Sequence, residues 1–500
     1  MKKAKYILAS LVLGASLTMS SCSDDFLDTV PTQSVSDATA YSTAENLMVI
    51  VNGMHRNMYS RQNSSQGQNG YTAQLIYNDV LGEDVVFPTV GNNWFIATMR
   101  WTDVNSENSS NISYPWNFWY RMIRNANNVI TYGQDATGDE TIKEKAIGEA
   151  YAYRAFGHFE LVQRYADAYK AGTTNSQLGV VIRTDPSTSL ILEPKARATV
   201  EETYAQIWSD LDEAERLLTG KSKANNSHFG IDNVLGLKAR VALVQQDYAK
   251  AAQYAALARQ GKTLMTQAQY KQGFNDYSNP EWMWGITIVS DQTDYFGNFH
   301  AYMSRNYNST QIRQAPKVMN HALYAAFPTS DVRTQVVDPT GLHPELNLPS
   351  NYSKFPYTSQ KFVTKDFDNS TPLGDVPFMR VAEMYLIEAE AKYFLGDEAG
   401  SKTVLTQLVQ ARDAEFTGFT TSGQAYLDEL YLNRRIELWG EGFRFFDLKR
   451  TAGKLNRRNS GAVASVINNL WEVEPTDKRW TWVIPRSELN ANPLCVQNPS

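Results

Sequence analysis

The sequence predicts a mostly α-helical protein in which helical hairpins form a scaffold and two long loop-rich insertions interrupt it. Three observations carry that prediction. Along Gly148 to Tyr169, Ala152, Ala155, Phe156, Phe159 and Val162 recur at helical intervals, which places them on one face of a helix. Between Val234 and Gln260 two short helical patterns meet at Gln245–Asp247, and the second carries Ala251, Ala255 and Ala258 at a spacing that lets helices approach closely. Between Arg380 and Arg412 another helical pattern divides at Gly396-Asp397, with Tyr385, Ala389, the stem of Lys392 and Tyr393 on one side of its first half.

The first 21 residues stand apart as an export leader. Lys2, Lys3 and Lys5 form a basic start, and the uncharged apolar run from Ile7 to Met19 is too short to span a bilayer, which takes about 18 to 20 apolar residues. Ser20 and Ser21 directly precede Cys22, and this junction resembles the lipobox of a bacterial lipoprotein. An acylated Cys22 would anchor the mature chain durably, because two or more lipid chains hold far better than one. Ser23, Asp24 and Asp25 resemble the acidic signal that directs Bacteroidetes lipoproteins to the outer face of the outer membrane.

Residues 22–500 are expected to form one domain, since no Pro/Gly/Ser tract or charge run marks a linker. The Val234–Gln260 unit resembles a tetratricopeptide repeat, whose apolar face is covered only by a neighbouring hairpin. Thr199 with Glu202 three residues on is a capping-box pattern that opens a helix running to Leu218. The scaffold is thus placed at about 118–260 and 376–450. The stretches from Asn52 to Trp116 and from Ser290 to Val376 are rich in Asn, Ser, Thr, Gly and aromatics and lack sustained helical period, and loops of this length usually carry function.

Composition narrows the function. Removing Lys2, Lys3 and Lys5 with the leader takes the formal net charge from −6 to −9, so the field does not attract nucleic acid and a neutral ligand suits it better than a polyanion. With Cys22 lipidated, Cys495 has no partner and no disulfide is expected. The six histidines show no H-E-x-x-H or paired spacing, so no metal site and no cofactor is expected. Nucleotide-binding and nucleophile-elbow motifs are absent as well.

A sugar offers a flat C–H face edged by hydroxyls and is met by aromatic planes with planar polar neighbours. The polar loop GNNWFIATMRW places Trp94, Arg100 and Trp101 beside Asn92 and Asn93, and DQTDYFGNFHAYMSRNYN supplies Tyr295, Phe296 and Tyr302, with Tyr307 close by. These are the candidate ligand-binding residues. Trp282 and Trp284 alternate with Met283 and Gly285 as a core strand does, and Trp116, Trp119 and Tyr120 sit in a helical pattern and read as packing.

The most charged stretch is RRIELWGEGFRFFDLKR, Arg434 to Arg450. Leu427, Leu430, Tyr431 and Leu438 share a helix face whose middle is occupied by Arg434 or Arg435, so that arginine must be paired. Glu437, one turn on, and Glu441, after a helix end at Gly440 and Gly442, are expected to return to it. A glycosidase acid pair is the rival reading of these two glutamates. Adjacent arginines argue against it, because they keep both acids ionised.

This stretch resembles the C-terminal signature of the SusD/RagB family through Arg434, Arg435, Glu437, Glu441, Gly442, Arg444, Asp447, Leu448 and Arg450. Further resemblances lie in Arg380, Ala382, Glu383, Tyr385, Leu386, Ala389, Glu390 and Ala391; in Ile484 to Glu488 with Asn492-Pro493 and Gln497 to Pro499; and in Cys22 to Asp28 with Pro31. The resemblance implies a SusD-like helical fold with tetratricopeptide-like repeats as scaffold and loops as binding surface. It also implies a non-enzymatic lipoprotein on the exterior of the outer membrane. Such a protein captures an oligosaccharide, or sometimes a peptide, and passes it to a SusC-like TonB-dependent transporter. The charged signature, Arg434, Arg435, Glu437, Glu441, Arg444 and Asp447, is then architectural.

Overall fold

The computed structural model describes residues 37–63, 65–187 and 193–498. The leader and Cys22 lie outside them. Long helices dominate. Ser110–Tyr132, Glu140–Tyr165, Val200–Leu218, Ile231–Val244 and Tyr248–Ala258 pack each against the next. The side chain of Thr199 accepts the Glu202 N–H at 3.1 Å while the Glu202 carboxylate accepts the Thr199 N–H at 2.8 Å, so the capping box closes. Ala251, Ala255 and Ala258 are buried where Tyr248–Ala258 meets both Ile231–Val244 and Val381–Phe394. The repeat array is therefore continuous in space although residues 259–375 intervene in sequence, and Glu398–Arg412 and Gln424–Glu437 extend it.

Two small sheets organise the intervening chain. Strand Trp282–Ile286 pairs antiparallel with Val376–Arg380, Trp282 opposite Arg380 and Ile286 opposite Val376. The long excursion thus leaves and re-enters the scaffold at one place. Trp282 and Trp284 are core residues there. The second sheet has the order Val85–Val86, Val318–Met319, Thr358–Ser359, Val337–Asp338, all antiparallel, and so joins the two stretches that the sequence reads as loops.

The first of those stretches is more helical than its composition suggests. Ala44–Asn57 runs into it, and Gly70–Val80 is a helix with every residue buried, Gln74, Asn78 and Asp79 included. A helix enclosed on all sides has no polar face and hence no amphipathic period to read. Within Val381–Phe394, Ala389 is buried in a second small core against which Tyr385 and Tyr393 pack, and Val381, Met384, Leu386 and Ile387 are buried as well, so this helix too is covered on more than one face. One apolar core extends from Leu47 to Cys495, and Cys495 is a buried free thiol. A separate small core of Ala301, Tyr307, Ile312 and Tyr352 lies within the second insertion.

Candidate functional site

The second insertion presents its aromatics at a braced turn. Tyr295 and Phe296 are 50% and 60% exposed, large for apolar rings in a folded chain. The backbone beneath them is fixed from several directions. Asp294 is clamped by the guanidinium of Arg61, Gln292 accepts from the Tyr59 hydroxyl, and Asn298 donates to Thr293 Oγ1 at 2.7 Å and to the Pro372 carbonyl at 2.9 Å. The Tyr302 hydroxyl donates to the Phe296 carbonyl at 2.7 Å and the Tyr307 hydroxyl to the Tyr295 carbonyl at 3.1 Å. A ligand docking on this turn would have little backbone left to order.

These struts correct part of the expected site. Tyr302 is 2% exposed and supports the turn from below. Trp94, half-buried, lies with its ring 5.8 Å from that of Tyr302, so the two predicted aromatic loops do meet. Trp101 does not belong to the site. Its ring is buried against Trp480 and Phe445 and its Nε1–H donates to the Leu81 carbonyl at 3.0 Å, so it anchors its own loop. Arg100 is likewise occupied: its guanidinium donates to the Val466 and Ser465 carbonyls at 2.8 and 2.9 Å. Of the polar residues beside Trp94, Asn92 and Asn93 are exposed.

Sequence reasoning missed Phe367, which is 51% exposed. Its loop is tied to the chain next to Tyr307, since Asn306 Nδ2 donates to the Phe367 carbonyl at 3.2 Å and the Asn308 N–H to the Asn369 carbonyl at 2.9 Å. The signal was present: Phe367 stands among Asp366, Asp368 and Asn369, as Tyr295 and Phe296 stand among Asp294, Gly297 and Asn298.

The charged signature builds a different object. Glu437 accepts from Arg412 Nη2 at 3.0 Å and Arg380 Nη1 at 3.1 Å, and Arg333 lies 3.6 Å away. Glu441 accepts from Arg380 Nε at 2.7 Å and Lys361 Nζ at 2.7 Å, while Glu281 bridges Arg380 and Arg412. With Asp331 on Arg333, four cations face four carboxylates, all within the protein interior. Burial alone would raise the carboxyl pKa values, but Arg412, Arg380 and Arg333 hold Glu437 well below the usual carboxylate range, and Arg380 with Lys361 holds Glu441 below it.

The expected pairing within the stretch is therefore corrected. Arg434 Nε donates to Asp447 at 2.7 Å, Arg435 Nη2 to Asp84 at 2.6 Å, and Arg444 Nε to Glu83 at 3.0 Å. Glu437 and Glu441 turn instead to the 380–412 hairpin. Gly440 and Gly442, at φ 80° and 84°, redirect the chain to make this possible, and a Cβ on Gly442 would lie 2.8 Å from Leu75 Cα.

Two family models account for nearly the whole chain: one described as the SusD family matches residues 253–500, and one described as starch-binding, associating with the outer membrane, matches residues 25–243. The chain belongs to the SusD family. This SusD-family chain is 22% identical to SusD-like protein P38 of Formosa agariphila over all of its own length and 99% of that protein's. Among solved structures, a SusD-like carbohydrate binding protein from Bacteroides vulgatus superposes with TM-score 0.79 at 24% identity, over 91% of this chain and 98% of that one. A laminarin binding SusD-like protein superposes with TM-score 0.69 at 20% identity, over 92% of this chain and all of that one. The SusD fold and a carbohydrate-binding family are thereby established. Among the described residues no helix is long and apolar enough to cross a membrane.

Proposed function

We propose that this SusD-family protein is a lipoprotein, anchored through Cys22 to the outer face of the outer membrane, that captures a glycan and delivers it to a SusC-like TonB-dependent transporter. The observation that carries this reading is the exposed Tyr295–Phe296 pair on a backbone braced by Tyr302, Tyr307 and Arg61. Two adjacent open rings on a rigid turn suit the flat face of a sugar, with Trp94 and Phe367 extending the surface to an oligosaccharide's length. The domain is a single unit from residue 22 onward, its repeats serving as scaffold and docking face and its second insertion as platform.

Binding without cleavage agrees with the state of the acids. Glu437 and Glu441 are enclosed, arginine-paired and held ionised, which removes the proton a glycosidase acid must donate. The test is a binding screen of the chain from Ser23 onward against neutral polysaccharides, laminarin among them, and a peptide mixture, with product analysis of every sample. Retention of one glycan at unchanged length is the expected result. Shorter products would make the protein an enzyme, and capture of peptides alone would make it a peptide-gathering member of the family.

A further inference from the structure

Three side chains from distant parts of the chain converge in the interior. His55 comes from helix Ala44–Asn57, Glu149 from helix Glu140–Tyr165, and His228 from the connection before Ile231–Val244. All three are buried. His55 Nε2 lies 3.1 Å from His228 Nδ1 and 3.2 Å from Glu149 Oε2, and His228 Nδ1 lies 2.9 Å from Glu149 Oε1.

Protons cannot satisfy this arrangement with the carboxylate ionised. If each ring nitrogen carries a proton toward Glu149, two N–H groups lie side by side with their nitrogens only 3.1 Å apart, and that contact is a repulsion between two donors. If one nitrogen instead gives up its proton to accept from the other, its lone pair faces a carboxylate oxygen. One of the three contacts is unfavourable in either case, in a place where unmatched polar groups are costly. A cation at the centre resolves it, because all three groups then present lone pairs.

The spacing also fits. Tetrahedral ligands about 2.0 to 2.1 Å from zinc are roughly 3.3 Å apart, so the cluster needs to open by only a few tenths of an ångström. The supporting contacts are those of a metal centre. His55 Nδ1 meets the Tyr153 hydroxyl at 2.5 Å, which fixes the ring with Nε2 directed inward, and Glu149 Oε2 accepts the Phe229 N–H at 3.1 Å. We propose that His55, Glu149 and His228 form a divalent transition-metal site with the ligand chemistry of zinc, which staples helix Ala44–Asn57 and the 225–230 connection to helix Glu140–Tyr165 of the scaffold. Two imidazoles and one carboxylate are too soft a set for calcium or magnesium, and three protein ligands leave the fourth position to water. No spacing motif announces the site, since the two histidines stand 173 residues apart.

The test uses the untagged chain from Ser23 onward, stripped with chelator and dialysed against zinc chloride. Elemental analysis is expected to give one zinc per chain, with a rise in thermal midpoint on zinc addition. His228→Asn should abolish stoichiometric binding, Tyr153→Phe should weaken it by about tenfold, and His321→Gln, at a remote half-buried histidine, should leave it unchanged. Cobalt loading of the unmutated chain provides a readout that no variant's folding can confound: strong visible bands are expected from a tetrahedral site with nitrogen ligands. Folded protein that takes up no zinc, undiminished uptake by His228→Asn, or only the faint absorption of octahedral cobalt would each overturn the assignment.

Discussion

Truncating Tyr295 and Phe296 together should weaken glycan binding and leave folding intact, whereas truncating Trp101 should destabilise the fold and spare the binding surface. A fully open aromatic side chain presents roughly 200 Å². At 50% and 60% exposure the two rings therefore offer on the order of 220 Å² to a ligand. A sugar that covers half of this withdraws about 110 Å² from water, or about 2.8 kcal/mol at 25 cal/mol/Å². That corresponds to a roughly hundredfold weaker Kd in the Tyr295→Ala, Phe296→Ala double variant. Its unfolding midpoint should scarcely move, because exposed substitutions are worth within about 0.5 kcal/mol. Trp101→Ala instead removes a buried ring, at about 3 to 5 kcal/mol, and a hydrogen bond worth about 1 kcal/mol. Calorimetric titration with the glycan found in the screen, beside urea unfolding of each variant, separates the two effects. A folded Trp101→Ala protein that no longer binds, alongside a double variant with unchanged affinity, would refute the placement of the site.

Three further outcomes follow from the interior. Glu437→Gln should destabilise the fold by about 3 to 5 kcal/mol in urea unfolding, since it leaves Arg412, Arg380 and Arg333 short of a buried counter-charge; an unchanged midpoint would mean that the cluster is rearranged or hydrated in solution. Burial pushes His158 down to about 3, assisted by the charge of Arg154, and His300 down to about 4, so both are neutral when folded. The unfolded chain binds more protons than the folded one below the ordinary histidine value of 6.5, so stability is full above it and falls as pH drops toward 4; thermal midpoints level from pH 6.5 to 4.5 would contradict this. Gly442→Ala should cost on the order of 1 to 3 kcal/mol through its positive φ and the clash with Leu75, without altering Kd, and a neutral effect would place the strain elsewhere.

What the sequence made legible was whatever repeats locally. The hairpin breaks at Gln245–Asp247 and Gly396-Asp397, the capping box at Thr199 and the core strand through Trp282 and Trp284 are short-range features, and each appears in the fold. The helix Ala44–Asn57 is legible too, since Leu47, Val51, Met54 and the C-cap Met58 recur at intervals of three and four, although its last turns fall in the polar composition that marks the first insertion. Helix Gly70–Val80 was not legible by period, for want of a polar face. Among the candidate binding residues, loop context could not distinguish a ring that faces out from one that faces in. Trp101 and Phe296 stand in similar polar surroundings, and only the long-range contacts to Phe445 and Trp480 decide that the former is core.

The ion cluster shows why the charged stretch had to be misread in detail and could still be read in kind. A carboxylate on a buried face demands a cation, which is a local inference, but which cation answers is a matter of tertiary geometry. Arg434 and Arg435 were near in sequence, yet they serve Asp447 and Asp84, while Glu437 and Glu441 recruit Arg380, Arg412 and Lys361. The choice has a structural consequence. Arg380 closes the strand pair at which the second insertion returns, Glu281 opens it, and Lys361 lies within the insertion itself. Such a network gains little net stability over an apolar core, since desolvation offsets much of the attraction. What it supplies is directional matching: the guanidinium fork of Arg380 donates to Glu281 and Glu441 in one geometry, and slippage of either strand would leave a charge unpaired in the interior. The cluster therefore fixes the strand pair at which the second insertion leaves and returns, and in that sense it would support the proposed Tyr295–Phe296 surface without lining it.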